Sequence, residues 1–262
     1  MIRVKKPKTL PPVRPNVGIE IAYRKRLDAL IEEMNASLTY WLSAQYKANP
    51  PAMAQDASSA VDLAARMKGL RRQWLSRFDK LSKEMADHFA MSIADRSDAA
   101  LKASLRKAGF TVQFQMTAAQ RNVVGAAVAE NVTLIKSIAS THLDQVEGLV
   151  MRGVSEGRDL AVIAKGLQER LGVTKRRAAL IARDQTNKAT ATLVRNRQDE
   201  LGLKAIWLHS GGGKHPRPSH VANSGEEYDP KTGWFDPVEK VWCWPGTLIN
   251  CRCVSKTKVP GF

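Results

Sequence analysis

Cysteine is nearly missing from this 262-residue sequence: three occur, Cys243, Cys251 and Cys253, all near the C-terminal end. An odd number so placed does not make a disulfide framework for the chain. Aromatic residues are scarce at 6%. No apolar run approaches the roughly 20 residues that span a bilayer, so no membrane partner is expected. The opening Ile2-Arg3-Val4-Lys5-Lys6 runs into prolines rather than an apolar segment, unlike a secretory signal. Acidic residues are also in deficit, 25 Asp and Glu against 41 Lys and Arg, a net charge of +16. Hydrophobic residues at 44% and charged residues at 25% exclude a wholly disordered chain. What is left is a soluble, intracellular, basic protein with enough length for one large or two modest cores.

The positive charge falls in two blocks, with 16 basic and 9 acidic residues over 1–90 and 12 and 6 over 151–206. A field of this sign draws polyanions, and phosphate backbones are the usual partner. Residues 1–17 place Pro7, Pro11, Pro12 and Pro15 among Lys5, Lys6, Lys8 and Arg14. Proline removes amide donors, so this segment reads as an extended basic arm.

Helical periodicity follows. Tyr23, Leu27, Leu30, Met34, Leu38 and Trp41 share one face of a helix over about 19–46, ended by Asn49-Pro50-Pro51. A second helix, about 57–91, carries Leu63, Met67, Leu70, Trp74, Phe78, Leu81 and Met85 inward. Its other faces carry Arg66, Lys68, Arg71, Arg72, Arg77, Lys80 and Lys83, opposed locally by Asp79 alone. With Arg176 and Arg177 further on, these are the candidate contacts to double-stranded DNA, without base readout. A short helix over 98–108 is expected to end at Gly109. Thr117 and Gln120 form a capping box for a helix reaching about Met151. Asp159 caps a helix over 160–171 stopped by Gly172, and Thr174 opens the next, from Lys175 to about Leu201, closed by Gly202. His88 and His142, isolated in helices, read as ordinary surface or core histidines.

After Gly202 the composition changes. Four of the six tryptophans (Trp207, Trp234, Trp242, Trp244) and all the cysteines lie here among glycine and proline turns, with strands expected at 204–209 and 238–244. The fold class is therefore a mainly α N-terminal helical region followed by a small α+β C-terminal module. About 60 residues build little core, so tryptophans, docking on helices or a metal must help. His and Cys are ligands that zinc prefers, and His215, His220, Cys251 and Cys253 make a plausible set. Cys251 and Cys253 are separated by one residue, which in a strand points both side chains to one face. No other cofactor is called for. Gly211-Gly212-Gly213-Lys214 lacks the spacing of a phosphate loop, and Ser210, Ser219 and His220 could be drawn as nucleophile and base without any fixed geometry.

Two C-terminal blocks carry a resemblance. Lys214-His215-Pro216-Arg217-Pro218-Ser219-His220-Val221-Ala222-Asn223-Ser224-Gly225, then Trp244-Pro245-Gly246-Thr247-Leu248-Ile249-Asn250-Cys251-Arg252-Cys253, resemble the signature of the phage Mu F-like minor head protein family, also called phage head morphogenesis proteins. The helix from Arg177 to Asn187 resembles the family's preceding helix, with Asp184-Gln185 where many relatives have Thr-Glu. The resemblance covers roughly 150–262. With the arm (1–17) and helical domain (18–151) read from composition and periodicity, the resemblance implies a Mu F-like domain (152–262), split into helices (159–202) and a Trp/Cys-rich module (203–262).

The resemblance further implies a minor capsid protein of a tailed phage, present in the virion head near the portal and in the host cytoplasm during assembly. It would assist head assembly and DNA packaging or delivery, with portal, major capsid or scaffold proteins and DNA as partners. By analogy, Arg217, His220, Asn250, Cys251, Arg252 and Cys253 form a structural cluster and no residue is catalytic. The competing classes are a metal-dependent nuclease, hydrolase or toxin-like enzyme built on the His/Cys cluster, and a generic nucleic-acid-binding protein.

Overall fold

The computed structural model describes residues 7–48, 57–156, 160–211, 213 and 215–260. The elements in order are β1 (Lys8–Thr9), α1 (Val17–Ala48), α2 (Ala57–Lys107), α3 (Ala118–Ser155), α4 (Leu160–Glu200), β2 (Lys204–Leu208), α5 (Pro218–Ala222), β3 (Glu227–Tyr228), β4 (Trp234–Asp236), β5 (Val241–Cys243) and β6 (Val254–Val259). The mainly helical N-terminal region and the small sheet-containing C-terminal module agree with the sequence. The chain divides into two compact units, one from 1–20, 87–128 and 183–262, the other from 21–86 and 129–182.

The second unit is all helix. Leu27, Ile31, Met34 and Leu38 of α1 are buried, as are Leu63, Met67, Trp74 and Phe78 of α2. From α3 come Ile135, Ile138, Leu143 and Val146, and from α4 Ile163, Leu167, Ala178 and Ile181. Fully burying such side chains contributes about 1.5–3 kcal/mol each before the entropy of ordering them. The α1 stripe ends on Leu42 rather than Trp41. Trp41 is 38% exposed, with the Arg66 guanidinium 4.0 Å above its ring.

Contrary to the sequence reading, α3 is long and apolar enough over Ala118–Gly153 to cross a membrane by length and composition. Only 22% of its most apolar window is buried, and the buried apolar positions lie in its 131–150 part. Ile135, Ile138, Leu143 and Val146 are fully buried, and the polar Asn131 and His142 are buried with them.

Two expected breaks do not occur. No boundary separates 91 from 98, because Ile93, Ala94, Leu101 and Leu105 continue the buried stripe of α2. Asp98 resembles a cap in sequence, but its carboxylate is taken by Arg197. Gly172 likewise lies inside α4. A helical glycine costs about 1 kcal/mol, and the apolar contacts on both sides of it outweigh that. Thr174 donates its hydroxyl back to the Arg170 carbonyl at 2.9 Å instead of opening a new helix. The terminators Asn49-Pro50-Pro51 and the cap Asp159 lie outside the described residues.

The other unit holds the sheets. Strands β1, β6, β2 and β3 form one antiparallel sheet in that order, and β4 and β5 form another. Helices α2 and α4 end on Gly109 and Gly202, both at positive φ. The amides of Phe110 and Leu203 reach back to the Leu105 and Gln198 carbonyls at 3.0 and 2.9 Å, closing the helix ends as Schellman motifs do. Thr117 caps α3 by accepting the Gln120 amide at 3.1 Å, while the Gln120 side chain turns to the Leu193 carbonyl. Residues 8–13 of the basic arm join the fold. Lys8 and Thr9 pair with Val259 and Lys258, and Leu10 and Val13 pack with Leu101, Leu105, Val194, Leu203 and Val259.

Gly246 shows how tightly the C-terminal module is closed. Its φ is +84°, and a Cβ there would meet the Cys253 carbonyl at 3.0 Å and the Ala191 methyl at 3.1 Å. Gly246→Ala is expected to cost about 1–3 kcal/mol, read from the urea midpoint at unchanged m-value. A shift of a few tenths would mean that the turn relaxes freely.

Candidate functional site

The module is built around one aromatic core. Trp207 of β2 is fully buried, with Trp234 and His220 packed edge-on at ring-centroid distances of 5.3 and 4.9 Å. Tyr228 stands 6.1 Å away and donates its hydroxyl to Ser255 Oγ. Helix α5, which begins at Pro218, delivers His220 into this core at 2% exposure. The loop before β6 delivers Cys251 and Cys253, both buried.

The ring of His220 is held on both edges. Its Nε2 lies 3.3 Å from Asp236 Oδ2, a carboxylate with no exposed surface. Its Nδ1 faces sulfur, 3.4 Å from Cys251 Sγ and 3.7 Å from Cys253 Sγ. Asp236 is fully committed: Oδ2 accepts the Ser219 hydroxyl at 2.8 Å, and Oδ1 accepts the amides of Val238 and Glu239 at 2.9 and 3.2 Å. Burial alone would raise its pKa. The Ser219 and amide hydrogen bonds, with His220 beside it, outweigh burial and hold the carboxyl below its usual range.

The thiols differ. Burial, with Asp236 nearby, pushes Cys243 up to about 12, so it remains protonated. Cys251 is lowered, chiefly because Cys253 hydrogen-bonds to it and then through His220 and the amides of Cys253 and Gly246. Cys253 is raised by holding the shared proton.

The structure gathers Arg217, His220, Asn250, Cys251, Arg252 and Cys253 around one small cavity of about 40 Å³. Arg217 ties two loops by donating to Glu239 Oε1 at 2.9 Å and to the Ile249 carbonyl at 3.2 Å. Asn250 takes the left-handed conformation at φ 59°. Its amide donates to Asp184 Oδ1 at 2.6 Å, and Arg183 donates to its Oδ1 at 3.3 Å. Asp184 therefore clamps the Cys-containing loop to α4. His215 is exposed at the cavity's edge, whereas His209 brings Nδ1 to 3.7 Å from Cys253 Sγ. His209 is not in the set drawn from sequence; the alternation of β2 beyond Trp207 is the signal that points it to the same side. The Ser219 hydroxyl serves Asp236, and His220 faces sulfur and carboxylate, so these two do not form a nucleophile and base. Gly212 and Lys214 lie outside the described residues.

The cationic candidates, all in the helical unit, separate into two kinds. Arg71 pairs with Asp144, and with Glu147 at 3.6 Å; Arg77 pairs with Glu33. Arg177 is half-buried and donates to Thr141 Oγ1 at 2.7 Å and to Ser137. Arg66 lies over Trp41. Lys68, Arg72, Lys80, Lys83 and Arg176 are exposed. At about 100° per residue, Lys68, Arg72 and Lys83 fall within about 60° of one another around α2. Asp79, on the same side, is neutralised by Lys136.

The C-terminal module is thus an aromatic core around Trp207 with His220, Asp236 and the cysteines buried beside it. Residues 144–256 match the family described as Phage Mu protein F like protein. A similar chain is an uncharacterized protein of Haemophilus influenzae (strain ATCC 51907 / DSM 11121 / KW20 / Rd), 28% identical over 255 residues, which cover 93% of this chain and 54% of that protein. The chain thus spans about half the length of this curated relative. No solved structure matches it.

Proposed function

We propose that this protein is a minor head component of a tailed phage that acts near the portal, assists head assembly, and binds DNA without regard to sequence during packaging or delivery. Portal protein and capsid or scaffold proteins are its protein partners in this reading, and the virion head its destination. The observation that supports the DNA contact is the exposed cationic face formed by Lys68, Arg72, Lys80 and Lys83 of α2, whose neighbour Asp79 is already paired. Such a face attracts phosphates through counterion release and reads no base. The Trp- and Cys-containing module, with its buried, mutually bonded polar groups, supports a structural role over turnover. A hydrolytic metal keeps a coordination position open to substrate, whereas His220, Cys251 and Cys253 are buried.

Replacing Lys68, Arg72, Lys80 and Lys83 together by glutamine is expected to flatten the log–log salt dependence of duplex binding by about 3–4 units. Arg71→Gln, which removes a charge already neutralised, is expected to leave it near the parent value. Fluorescence anisotropy on unrelated duplexes across a salt series checks both. An unchanged slope in the quadruple variant refutes the interface. Recovery of portal protein on the immobilised full chain tests the portal contact separately.

A further inference from the structure

We propose that Cys251, Cys253 and His220, completed by His209, hold a structural zinc ion, with Asp236 as the outer partner of His220. His220 Nδ1 carries one in-plane site, either a proton or a lone pair. Two sulfurs stand before it at 3.4 and 3.7 Å. A single hydrogen bond serves only one of them, while a metal between the three atoms serves all.

The spacing fits that metal. Zinc binds sulfur at about 2.3 Å and imidazole nitrogen at about 2.05 Å, so a tetrahedral angle places nitrogen and sulfur ligands about 3.6 Å apart. The two nitrogen–sulfur separations at His220 scatter around this edge length, while His209 Nδ1 approaches Cys253 Sγ alone at 3.7 Å and has to close in to become the fourth ligand. Ligand atoms of His220, Cys251 and Cys253 all lie within 4.8 Å of one another.

The surroundings have the pattern of a ligand shell. A zinc-bound histidine usually donates its other N–H to a carboxylate, which fixes the tautomer. Here Nε2 lies 3.3 Å from Asp236 Oδ2 without a hydrogen bond in this structure, near enough to become that donor once a metal takes the Nδ1 side. Asp236 also stands within ligand reach of His220 and Cys243, but its oxygens already accept hydrogen bonds from Ser219, Val238 and Glu239, which favours the outer role for it. The proton shared by Cys251 and Cys253 goes to solvent on binding, so a doubly charged cation with two thiolates and two neutral imidazoles is buried without net charge. The need is also present. The two-stranded β4–β5 ribbon and five-residue α5 are too small to hold themselves.

The assignment changes one member of the set suggested by sequence. His215 is exposed and two residues beyond the described Gly213, whereas His209 extends directly from β2.

Full-length protein purified under reducing conditions from zinc-replete culture is expected to carry about one zinc per chain by elemental analysis. Cobalt replacement should give the visible bands of tetrahedral cobalt and a thiolate charge-transfer band. Cys251→Ser and Cys253→Ser should lose both, and His215→Ala should keep them. Asp236→Asn should weaken zinc affinity by about 10–100-fold, measured by chelator competition. Wild-type protein with little zinc that takes up no cobalt overturns the site, as does a Cys251–Cys253 disulfide in freshly purified protein. Loss of metal in His215→Ala, with His209→Ala unaffected, overturns the choice of fourth ligand. Because the zinc and cobalt readings use unmodified protein, a variant that fails to fold does not obscure the result.

Discussion

Arg197→Ala is expected to lower stability by about 3–5 kcal/mol, the loss that follows from stripping one partner out of a buried ion pair. The guanidinium is 3% exposed and spends three nitrogens on carboxylates. Nε and Nη2 donate to the two oxygens of Asp98 at 2.9 and 2.7 Å, and Nη1 donates to Glu200 at 2.7 Å. Its carbon stands 4.7 Å from the Phe114 ring. This fork joins α4 to the far end of α2 inside one unit and to the end of α4 itself. Lysine presents a point charge with no planar fork, so Arg197→Lys should recover less than half of the loss. Because the pair's net worth against apolar replacements is small, Arg197→Met with Asp98→Leu should be more stable than Arg197→Ala alone. Urea denaturation of the four proteins decides the matter. A loss below 1 kcal/mol in Arg197→Ala would show that the pair behaves as a surface contact.

The same arginine explains which parts of the fold were legible in sequence. Periodicity alone located α1 and the apolar stripe of α2, because those faces are set by local spacing. Gly109, Gly202 and Thr117 were readable because turn and cap chemistry is local too. Asp98 was misread as the start of a new helix because its true partner lies 99 residues away. Thr174 looked like a cap for the same reason. Its hydroxyl is used within α4 and its oxygen by His142, and nothing nearby in sequence announces either. The arm was read as lacking enough apolar residues for a core. Leu10 and Val13 need none of their own, since they complete a core that Leu101, Leu105 and Val194 begin.

Legibility at the C-terminal cluster followed the same division. Residue type identified His220, Cys251 and Cys253, since buried His and Cys close to one another in sequence are few. Which second histidine stands nearer Cys253 follows from where β2 ends, a direction that spacing along the loop to His215 does not carry. Asp236 was invisible: it is one carboxylate in an ordinary turn until the β4–β5 register points it, opposite Val241, into the core beneath His220. Ion pairing divided the basic helix as well. Charge counting could not distinguish Lys68 and Arg72, open to solvent, from Arg71 and Arg77, which acids on other helices already hold.

His142 should make the protein acid-labile in a defined window. It is fully buried in α3, and burial lowers its pKa from 6.5 to about 4. The Thr174 hydroxyl proton goes to the Arg170 carbonyl, so Nδ1 is the protonated nitrogen and donates to Thr174 Oγ1 at 2.8 Å. Nε2 then carries a lone pair with no hydrogen-bond partner among the described residues. Above pH 6.5 the ring is neutral whether the chain is folded or not, and this site adds no pH dependence. Between pH 6.5 and about 4 the unfolded chain takes up a proton that the folded chain refuses, so stability falls as pH falls. At about 1.36 kcal/mol per pKa unit the loss is about 3 kcal/mol by pH 4 and grows no further below it. His142→Gln should remove this slope while keeping a donor for Thr174, at some cost in packing at neutral pH. Thermal denaturation of both proteins from pH 7.5 to 4 provides the measurement. Equal slopes would place the acid sensitivity elsewhere and mean that water or a rearranged neighbour already satisfies the buried ring.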